Sequence, residues 1–384
     1  MKENTHPVLM HFFQPDIGGV VEYVKTIFPK FNEAGYHQVI ICPETVRDAD
    51  EFRKMGAELI FLDVVREINP FQDIKSIRKF SHIIKKIEPD IIYLHSSKAG
   101  AVGRLAAAGL GIPVCYNPHG WAFIMDGGLV KKKFYGLVER VLSRWCDKIV
   151  MISDSEFTSA VKYGIPVEKL QRIISGIDIK RFKESEKTAY HDKFVIGFVG
   201  RFHAAKDPMK VIEVVQNLVS AIPEILALFV GDGELGESLQ IRVKELGLGK
   251  QVKFLGWSDT PEHEIRNFDI GLMPSAWEGF GLAVCEYMAA KKPVVISDAG
   301  GLKHIVKHQF DGYIVASGRA DEYSKYILDL YRNKTLRKKI TDAAYKKVCS
   351  EFTIERVASE HLELFKKLRE LRELQGSQGA KHHI

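Results

Sequence analysis

Two glutamates, Glu278 and Glu286, stand eight residues apart around a glycine-rich turn that follows an apolar run. Glu278 lies in the turn, whereas Glu286 falls about one and a half turns into the predicted helix, so they do not form an ordinary i,i+4 pair. Carboxylates accept paired hydrogen bonds from neighbouring hydroxyl groups. The pair is therefore a candidate site for a polyhydroxylated ligand, unless Glu286 is held by an internal cation such as Lys291.

Groups suited to an anion accompany these glutamates. Phe280, Gly281 and Leu282 begin the predicted helix, where free N–H groups attract negative charge. Arg201 and Lys206 lie five residues apart on a loop that directly follows the apolar run V-I-G-F-V. Arg, through its planar fork, and Lys, as a point charge, can converge on a diphosphate. The alternative for this loop is a solvated turn with surface charges.

Two further candidates occur in the first half of the chain. Gly18 and Gly19 precede a predicted helix and can bring backbone N–H groups close to an anion, although such turns also need glycine for steric reasons. His119 follows another predicted strand within the segment N-P-H-G-W. A single histidine is usually structural, but a position at the end of a strand favours a functional role.

The elements that position these residues alternate between short apolar runs and longer helical patterns, which is typical of parallel sheets with crossover helices. Strands are predicted at 8–12, 38–42, 58–62, 90–95, 113–117, 148–153, 172–175, 194–200, 224–231, 252–256, 269–275, 293–297 and 312–315. Periodicity also predicts a helix over 71–87. In such sheets ligands bind beyond the carboxyl ends of the strands, where the candidate residues lie.

The length of 384 residues predicts two domains. The charged stretch 177–193 has few apolar positions and is the expected linker. The predicted organisation is a first domain at 1–176, the linker, a second domain at 194–350, a long helix at 351–374 and a polar tail at 375–384.

Composition excludes several classes of protein. Hydrophobic residues at 46% and charged residues at 27% are ordinary globular values, and a net charge of +6 is too small to indicate nucleic-acid binding. The five cysteines show neither a C-x-x-C pair nor zinc-ligand spacing, which indicates a reducing compartment. Neither a signal-peptide core nor a transmembrane run is recognisable, so a cytoplasmic location is expected. The only D-x-D string, Asp48 to Asp50, lies at a predicted helix start, and no metal site is expected there.

Taken together, these motifs resemble the retaining glycosyltransferases of family 4, also called glycosyl transferases group 1. The specific element is E-x(7)-E from Glu278 to Glu286, accompanied by G-R-x(4)-K at 200–206, G-D-G at 231–233 and H-G at His119. The resemblance covers nearly the whole chain. It implies an α/β protein of the GT-B fold, with two Rossmann-like domains facing a cleft and a C-terminal helix that crosses back to the N-terminal domain. One departure is Ser175, since the family commonly has Asn before the glycine at this place.

The resemblance also implies roles for the two domains, the N-terminal one binding the acceptor and the C-terminal one the nucleotide sugar. Arg201 and Lys206 would hold the diphosphate, Glu286 the ribose hydroxyls and Glu278 the transferred sugar. The implied donor-binding residues are Gly18, Gly19, Arg201, Lys206, Glu278, Phe280, Gly281, Leu282 and Glu286, and the implied catalytic residues are His119, Arg201, Lys206 and Glu278. The expected reaction transfers a hexose with retention to a hydroxyl acceptor, in surface polysaccharide or glycolipid synthesis. No metal or other cofactor is expected, because two cations already neutralise the diphosphate.

The stretch 131–148 holds six basic residues against two acidic ones, together with an apolar stripe at amphipathic-helix spacing. The stripe comprises Phe134, Leu137, Val138, Val141, Leu142 and Trp145. The stretch is either a helix of the domain with a solvated basic face, or a contact with anionic lipid headgroups. The second interpretation fits a lipid-linked acceptor and peripheral attachment to the inner face of a membrane.

Other functions share parts of this pattern. A GT-B sugar-nucleotide epimerase would use the same donor site without an acceptor, and a non-catalytic nucleotide-sugar-binding module would keep binding alone. An NAD-dependent dehydrogenase is disfavoured, because neither first turn reads G-x-G-x-x-G. Two carboxylates could instead hydrolyse a glycosidic bond, but the diphosphate-binding cations argue against hydrolysis.

Overall fold

The structure, a computed structural model, describes residues 6–124, 128–183 and 186–381, except for the side chains at 317 and 375–381. The chain divides into two compact units. The first comprises residues 1–174 and 354–384, and the second comprises residues 175–353.

The first unit is a parallel sheet with helices connecting its strands. Its strands are β1 (Val8–Phe13), β2 (His37–Cys42), β3 (Glu58–Phe61), β4 (Ile91–His95), β5 (Val114–Asn117), β6 (Lys148–Met151) and β7 (Leu170–Arg172). Its connecting helices are α1 (Gly19–Glu33), α2 (Ala49–Lys54), α3 (Pro70–Ile87), α4 (Ser97–Ala107), α5 (Leu129–Leu142) and α6 (Asp154–Lys162). The strand order is β3-β2-β1-β4-β5-β6-β7, so the direction of winding reverses between β1 and β4.

Both faces of this sheet are buried. Alternate residues of a strand point to opposite faces. Met10 and Phe12 of β1 therefore join one apolar cluster, while Leu9 and Phe13 join the other. Burial on both faces explains why the strands read as nearly continuous apolar runs in the sequence.

The second unit repeats this architecture. Its strands are β8 (Phe194–Val199), β9 (Ile225–Val230), β10 (Val252–Gly256), β11 (Ile270–Met273), β12 (Val294–Ser297) and β13 (Tyr313–Val315). Its helices are α7 (Pro208–Leu218), α8 (Gly236–Glu245), α9 (Pro261–Ile265), α10 (Leu282–Ala289), α11 (Leu302–Ile305), α12 (Ala320–Arg332) and α13 (Lys334–Glu351). The order β10-β9-β8-β11-β12-β13 is the Rossmann order, with its reversal between β8 and β11.

The last helix, α14 (Ile354–Lys381), belongs to the first unit. Its side chains Val357, Phe365 and Leu368 are buried in the same cluster as Leu9 and Phe13. The helical conformation is interrupted at Phe352 and Thr353, between α13 and α14. The last helix therefore begins at Ile354, three residues after the predicted start at 351. It also continues through residues 375–381, where the sequence predicted a polar tail and where no proline ends it.

Two predictions at the junction of the units need correction. The strand predicted at 172–175 is β7 at Leu170–Arg172, and the chain enters the second unit at Ser175. The described residues of the expected linker 177–193 belong to the second unit. Its Phe182 is buried, and Lys187 lies 2.5 Å from Asp269. The residues that make these contacts are a single apolar side chain, Phe182, and a charged one, Lys187. The composition of the stretch therefore suggested a linker.

Candidate functional site

The loops after β8 and β11 meet at the winding reversal of the second sheet, where Rossmann-like units bind ligands. Lys206, after β8, forms an ion pair with Glu278, after β11. The two loops are also joined by a hydrogen bond in which the Trp277 N–H donates to the Ala205 carbonyl at 3.1 Å. Ser275 Oγ approaches the same Glu278 oxygen at 3.5 Å. The structure thus brings together two of the residues singled out from the sequence.

Glycines after β12 allow a second backbone segment to approach the Glu278 loop closely. A Cβ added at Gly300 would lie 2.0 Å from the Glu278 carbonyl oxygen, and Gly300 has φ +50°. The Gly301 N–H donates to that same oxygen at 2.9 Å. The loop after β12 therefore fixes the backbone of Glu278. Sequence reasoning missed this pair, although two glycines after a strand were the signal used at Gly18 and Gly19.

The G-D-G segment supports the loop after β8 in the same manner. A Cβ at Gly231 would lie 2.0 Å from the Gly200 carbonyl oxygen, and one at Gly233 would lie 2.6 Å from that of Phe202. Both glycines have positive φ, at 140° and 155°. Only glycine fits these positions without displacing the loop that carries Arg201 and Lys206.

Arg201 differs from Lys206 in its surroundings. Its side chain is exposed and forms no ion pair among the residues that the structure describes. Lys206 is half-buried against Glu278. The unengaged guanidinium is thus available to an incoming anion, while the lysine orients a carboxylate.

Helix α10 carries Glu286, whose side chain is half-buried. The helix is tied to the end of β8 because the Val199 N–H donates to the Tyr287 hydroxyl at 2.7 Å. Phe280 is buried against the Phe352 ring, 5.6 Å between centroids, so it offers its backbone rather than its ring to a ligand. Lys291, considered above as an internal partner of Glu286, is exposed and lies over the Tyr345 ring instead.

In the first unit, Gly18 and Gly19 lie at the start of α1, which follows β1 at the winding reversal of that sheet. Gly18 has φ +99°, a conformation that favours glycine. A Cβ added at either glycine would meet nothing within 4 Å. The requirement at Gly18 is therefore conformational, and the space beside the turn is open.

His119 belongs to a cluster of buried polar rings that sequence reasoning missed. Its Nε2 lies 3.0 Å from Nδ1 of His95, and His95 Nε2 lies 3.1 Å from Nδ1 of His11. Tyr23 packs edge-on against His119, with 4.7 Å between centroids. His361, from α14, joins through the Tyr93 hydroxyl at 2.7 Å. Histidines at strand positions between apolar residues, such as 11 and 95, were the available signal.

The left-handed backbone of His119 is held locally. Its φ is +50°, which is unusual for a residue other than glycine. The Asn117 side chain accepts a hydrogen bond from the His119 N–H at 2.9 Å, and Asn117 is fully buried at the end of β5. Such strain persists where the surroundings enforce it, which is frequent at functional sites.

No group of three or more His, Cys, Asp or Glu side chains is placed to hold a metal ion within the described part of the chain. The carboxylates of the D-x-D string are engaged with cations. Asp48 lies 3.4 Å from Lys25, and Asp50 lies 2.7 Å from Arg53.

Comparison with known proteins places these features in a family. The model of a glycosyl transferase 4-like domain matches residues 18–176, and that of glycosyl transferases group 1 matches residues 179–347. The chain belongs to glycosyltransferase family 4. The prediction made from Glu278, Glu286 and their companion motifs is thereby confirmed at the level of the family.

This glycosyltransferase has curated relatives in Escherichia coli. It is 27% identical over 312 residues to UDP-Gal:alpha-D-GlcNAc-diphosphoundecaprenol alpha-1,3-galactosyltransferase, covering 77% of this chain and 80% of that protein. It is also 27% identical over 279 residues to the O-antigen biosynthesis glycosyltransferase WbnH, covering 70% and 76%.

The glycosyltransferase superposes on Anabaena Alr3699/HepE in complex with UDP and glucose with a TM-score of 0.82, at 20% identity, covering 94% of this chain and all of that one. At this identity the likeness concerns the fold. The fold is GT-B, as the sequence motifs implied.

Proposed function

We propose that this glycosyltransferase moves a hexose from a nucleoside diphosphate to a hydroxyl acceptor with retention of configuration, in the synthesis of a surface polysaccharide or glycolipid. The observation that carries the proposal is the Lys206–Glu278 ion pair, held by glycine-built loops at the winding reversal of the second sheet. The names of the two Escherichia coli relatives support the sugar class and the pathway class.

The chemistry follows from where charge develops. When the sugar leaves, negative charge builds on the nucleoside diphosphate and positive charge on the sugar ring. Arg201 and Lys206 stabilise the departing diphosphate more strongly in the transition state than in the ground state. Glu278, oriented by Lys206, accepts hydrogen bonds from hydroxyls of the transferred sugar.

The remaining donor contacts are assigned to the second unit and to the turn after β1. Glu286 accepts hydrogen bonds from the ribose hydroxyls. The backbone at Phe280–Leu282 and the turn at Gly18 and Gly19 bind the diphosphate. His119 contacts the transferred sugar near the reacting carbon, and the rest of the first unit provides the acceptor site.

Metal independence is part of the proposal. It rests on the two cations at 201 and 206, which supply the positive charge that a bound metal would otherwise bring to the diphosphate.

A product assay tests the proposal. The protein is incubated in EDTA with a panel of nucleotide sugars that begins with UDP-galactose and UDP-glucose, with and without an undecaprenyl-diphosphate-linked sugar. Transfer that requires the acceptor, with the donor's anomeric configuration kept in the product, is the expected result. Conversion of a donor in the absence of acceptor supports an epimerase, and donor binding without turnover supports a non-catalytic module.

The surface of α5 supports a proposal about where the acceptor is located. The expected single amphipathic helix ends at Leu142 and is followed by a 3₁₀ turn at Ser143–Trp145. Several apolar residues of this segment are exposed. Their relative solvent-accessible surfaces are 78% for Leu129, 84% for Val130, 51% for Phe134, 58% for Leu137, 37% for Val141 and 36% for Trp145. Most of the predicted stripe thus faces outward, whereas Leu142 is buried and Val138 is half-buried.

We propose that this surface contacts the anionic face of a membrane that carries a lipid-linked acceptor. Exposed Lys131 and Lys133 lie beside the exposed apolar side chains, the combination that binds peripheral helices to headgroups. Among the described residues, no helix combines the length and the low polarity that a bilayer span needs. Attachment would therefore rest on charge and on partial insertion of apolar side chains.

Replacing Lys131, Lys132 and Lys133 by serine is expected to weaken sedimentation with anionic vesicles by about a hundredfold, since each lysine contributes roughly 1 kcal/mol near such a surface. The same substitutions at Lys334, Lys338 and Lys339, exposed on α13, remove equal charge and should have little effect. If sedimentation with vesicles depends neither on their anionic lipid content nor on the salt concentration, the membrane proposal is contradicted and a soluble acceptor is favoured.

A further inference from the structure

One face of the first sheet carries a continuous row of polar side chains beneath His119. Three neighbouring strands contribute to it, in the order β2-β1-β4, and His119 follows two residues after the next strand, β5. Gln38 Oε1 lies 3.1 Å from His11 Nε2, and the row continues through His95 to His119 by the two contacts given above. Gln38, His11 and His95 are buried, while His119 is partly exposed at the carboxyl edge of the sheet.

The direction of every hydrogen bond in this row is fixed at its inner end. Gln38 Nε2 donates to the Phe28 carbonyl at 2.8 Å and to Asn32 Oδ1 at 2.6 Å. Asn32 Nδ2 in turn donates to the Met55 carbonyl at 2.8 Å, so its oxygen faces Gln38. A carbonyl only accepts, and turning the Gln38 amide around would set two acceptors against each other. Gln38 therefore presents its oxygen to His11.

A neutral imidazole has one N–H and one lone pair. His11 must donate from Nε2 to Gln38, which leaves its Nδ1 as an acceptor. His95 must then donate from Nε2 to His11, and its own Nδ1 accepts. His119 must finally donate from Nε2 to His95. The ring nitrogen of His119 that remains, Nδ1, carries a lone pair.

Burial keeps these rings neutral, because it disfavours the charged form. It lowers the pKa of His11 to about 4, partly opposed by the Gln38 hydrogen bond, and the pKa of His119 to about 3. The pKa of His95 is also lowered well below its ordinary value. Burial is the main cause, and repulsion between protonated His95 and the neighbouring His119 and His11 adds to it. Each ring therefore holds a single exchangeable proton at neutral pH.

We propose that Gln38, His11 and His95 are positioning residues that hold His119 in the Nε2–H form, so that its Nδ1 recognises a hydroxyl group of the transferred sugar as a hydrogen-bond acceptor. A hydroxyl can donate to this lone pair. A carboxylate or phosphate oxygen cannot, and it is rejected at the same position because two lone pairs would face each other. This specificity rests on the proposed contact of His119 with the donor sugar, whereas the proton arrangement itself does not.

His361 provides an internal reference for the arrangement. Its Nδ1 lies 2.7 Å from the Val357 carbonyl, which can only accept, so this nitrogen carries the proton. Its Nε2 accepts from the Tyr93 hydroxyl at 2.7 Å. The structure thus assigns one buried histidine to the Nδ1–H form, opposite to the other three.

Long-range ¹H–¹⁵N correlation spectra of the histidine-labelled protein test this arrangement directly. The three rings of the row, His11, His95 and His119, should show protonated Nε2, and His361 should show protonated Nδ1. A wild-type spectrum in which His119 carries its proton on Nδ1 overturns the proposal, whatever reaction the enzyme performs.

Two variants of His95 distinguish a role in fixing the proton of His119 from a purely structural role. In His95→Gln the amide can donate to His11 and accept from His119, so the His119 proton should stay on Nε2. In His95→Phe the relay is broken, and His119 should populate both tautomers. His361→Phe removes a buried histidine outside the row and should leave the His119 spectrum unchanged. If His95→Phe does the same, the proposal fails.

The substrate side is tested with analogues of the nucleotide sugar that the donor panel selects, each with one hydroxyl replaced by hydrogen or by fluorine. At one position both replacements should raise KM by about tenfold in the wild-type enzyme and in His95→Gln, because fluorine cannot donate. This penalty should shrink in His95→Phe. If the histidines show the expected tautomers but no hydroxyl position shows this penalty, hydroxyl recognition by His119 is overturned. If His119 shows the other tautomer while sugar transfer is normal, the relay alone is overturned.

Discussion

Lys206→Ala is expected to lower the turnover of sugar transfer, measured at saturating donor, by about 100-fold or more. Removing a preorganised partner of a developing anion raises the barrier by about 2.7 to 4 kcal/mol. The variant also leaves Glu278 without its cation, so the carboxylate that is proposed to bind the sugar loses its orientation. The fold should persist, because residue 206 lies on a partly exposed loop between β8 and α7.

Lys210→Ala is the matched control for this loss. Lys210 lies four residues further along, in α7, and its ammonium contacts the Glu213 carboxylate at 2.5 Å. The control removes the same charge from the same region without touching Glu278. Near-wild-type turnover in Lys206→Ala, or an equal loss in both variants, contradicts the assignment of Lys206 to the diphosphate.

Glu139→Gln is expected to destabilise the first unit by about 3 to 5 kcal/mol, because it leaves the buried Arg104 guanidinium without its counter-charge. Arg104 is fully buried, and its Nη2 lies 2.7 Å from Glu139 Oε2. Burial is the largest single influence and lowers the pKa of Arg104, but the combined effects of the Glu139 charge and hydrogen bond and of nearby Tyr116 and Cys146 raise this pKa overall. Chemical denaturation of the purified protein measures the loss.

Two comparisons isolate the buried charge as the cause. Asp342→Asn breaks the Lys338–Asp342 pair, which is exposed on α13 and spans 2.7 Å, and it should cost at most about 1 kcal/mol. The double variant Arg104→Met with Glu139→Leu should recover most of the stability, since apolar pairs often replace buried ion pairs without loss. A Glu139→Gln effect no larger than that of Asp342→Asn contradicts the prediction.

The sequence predicted most of the fold because the sheets are buried on both faces. Apolar runs mark strands such as β1 and β8 within a residue or two of their observed bounds. It failed at the junction of the units, where boundaries depend on tertiary contacts. Lys187 and Asp269 stand far apart in sequence, and their pairing gives no local pattern. The break before Ile354 likewise lies inside a stretch that reads as one charged helix.

The candidate site was predictable where one loop carries a motif and less so where separate loops meet. Glu278 and Lys206 were recognised as residues that follow strands, yet nothing local in the sequence indicates that their side chains pair. The row beneath His119 was missed because its members come from three different strands. Gln38 and His11 lie in runs that otherwise read as apolar core. The strand register pairs Gln38 with Leu9 and His11 with Ile40, so the two polar side chains meet only diagonally, across neighbouring strands.

The discontinuity of the first unit has a consequence for biosynthesis. Residues 175–353 form an uninterrupted segment that contains every strand of the second sheet, so that unit can acquire its whole core while the chain is still emerging from the ribosome. The first unit, although its synthesis begins earlier, lacks Val357, Phe365 and Leu368 until the whole second unit has been translated. During that interval one face of its sheet is covered by α1 and α2 but not by α14, and the Tyr93 hydroxyl lacks its contact with His361. Of the two units, the one whose synthesis begins first is therefore completed second.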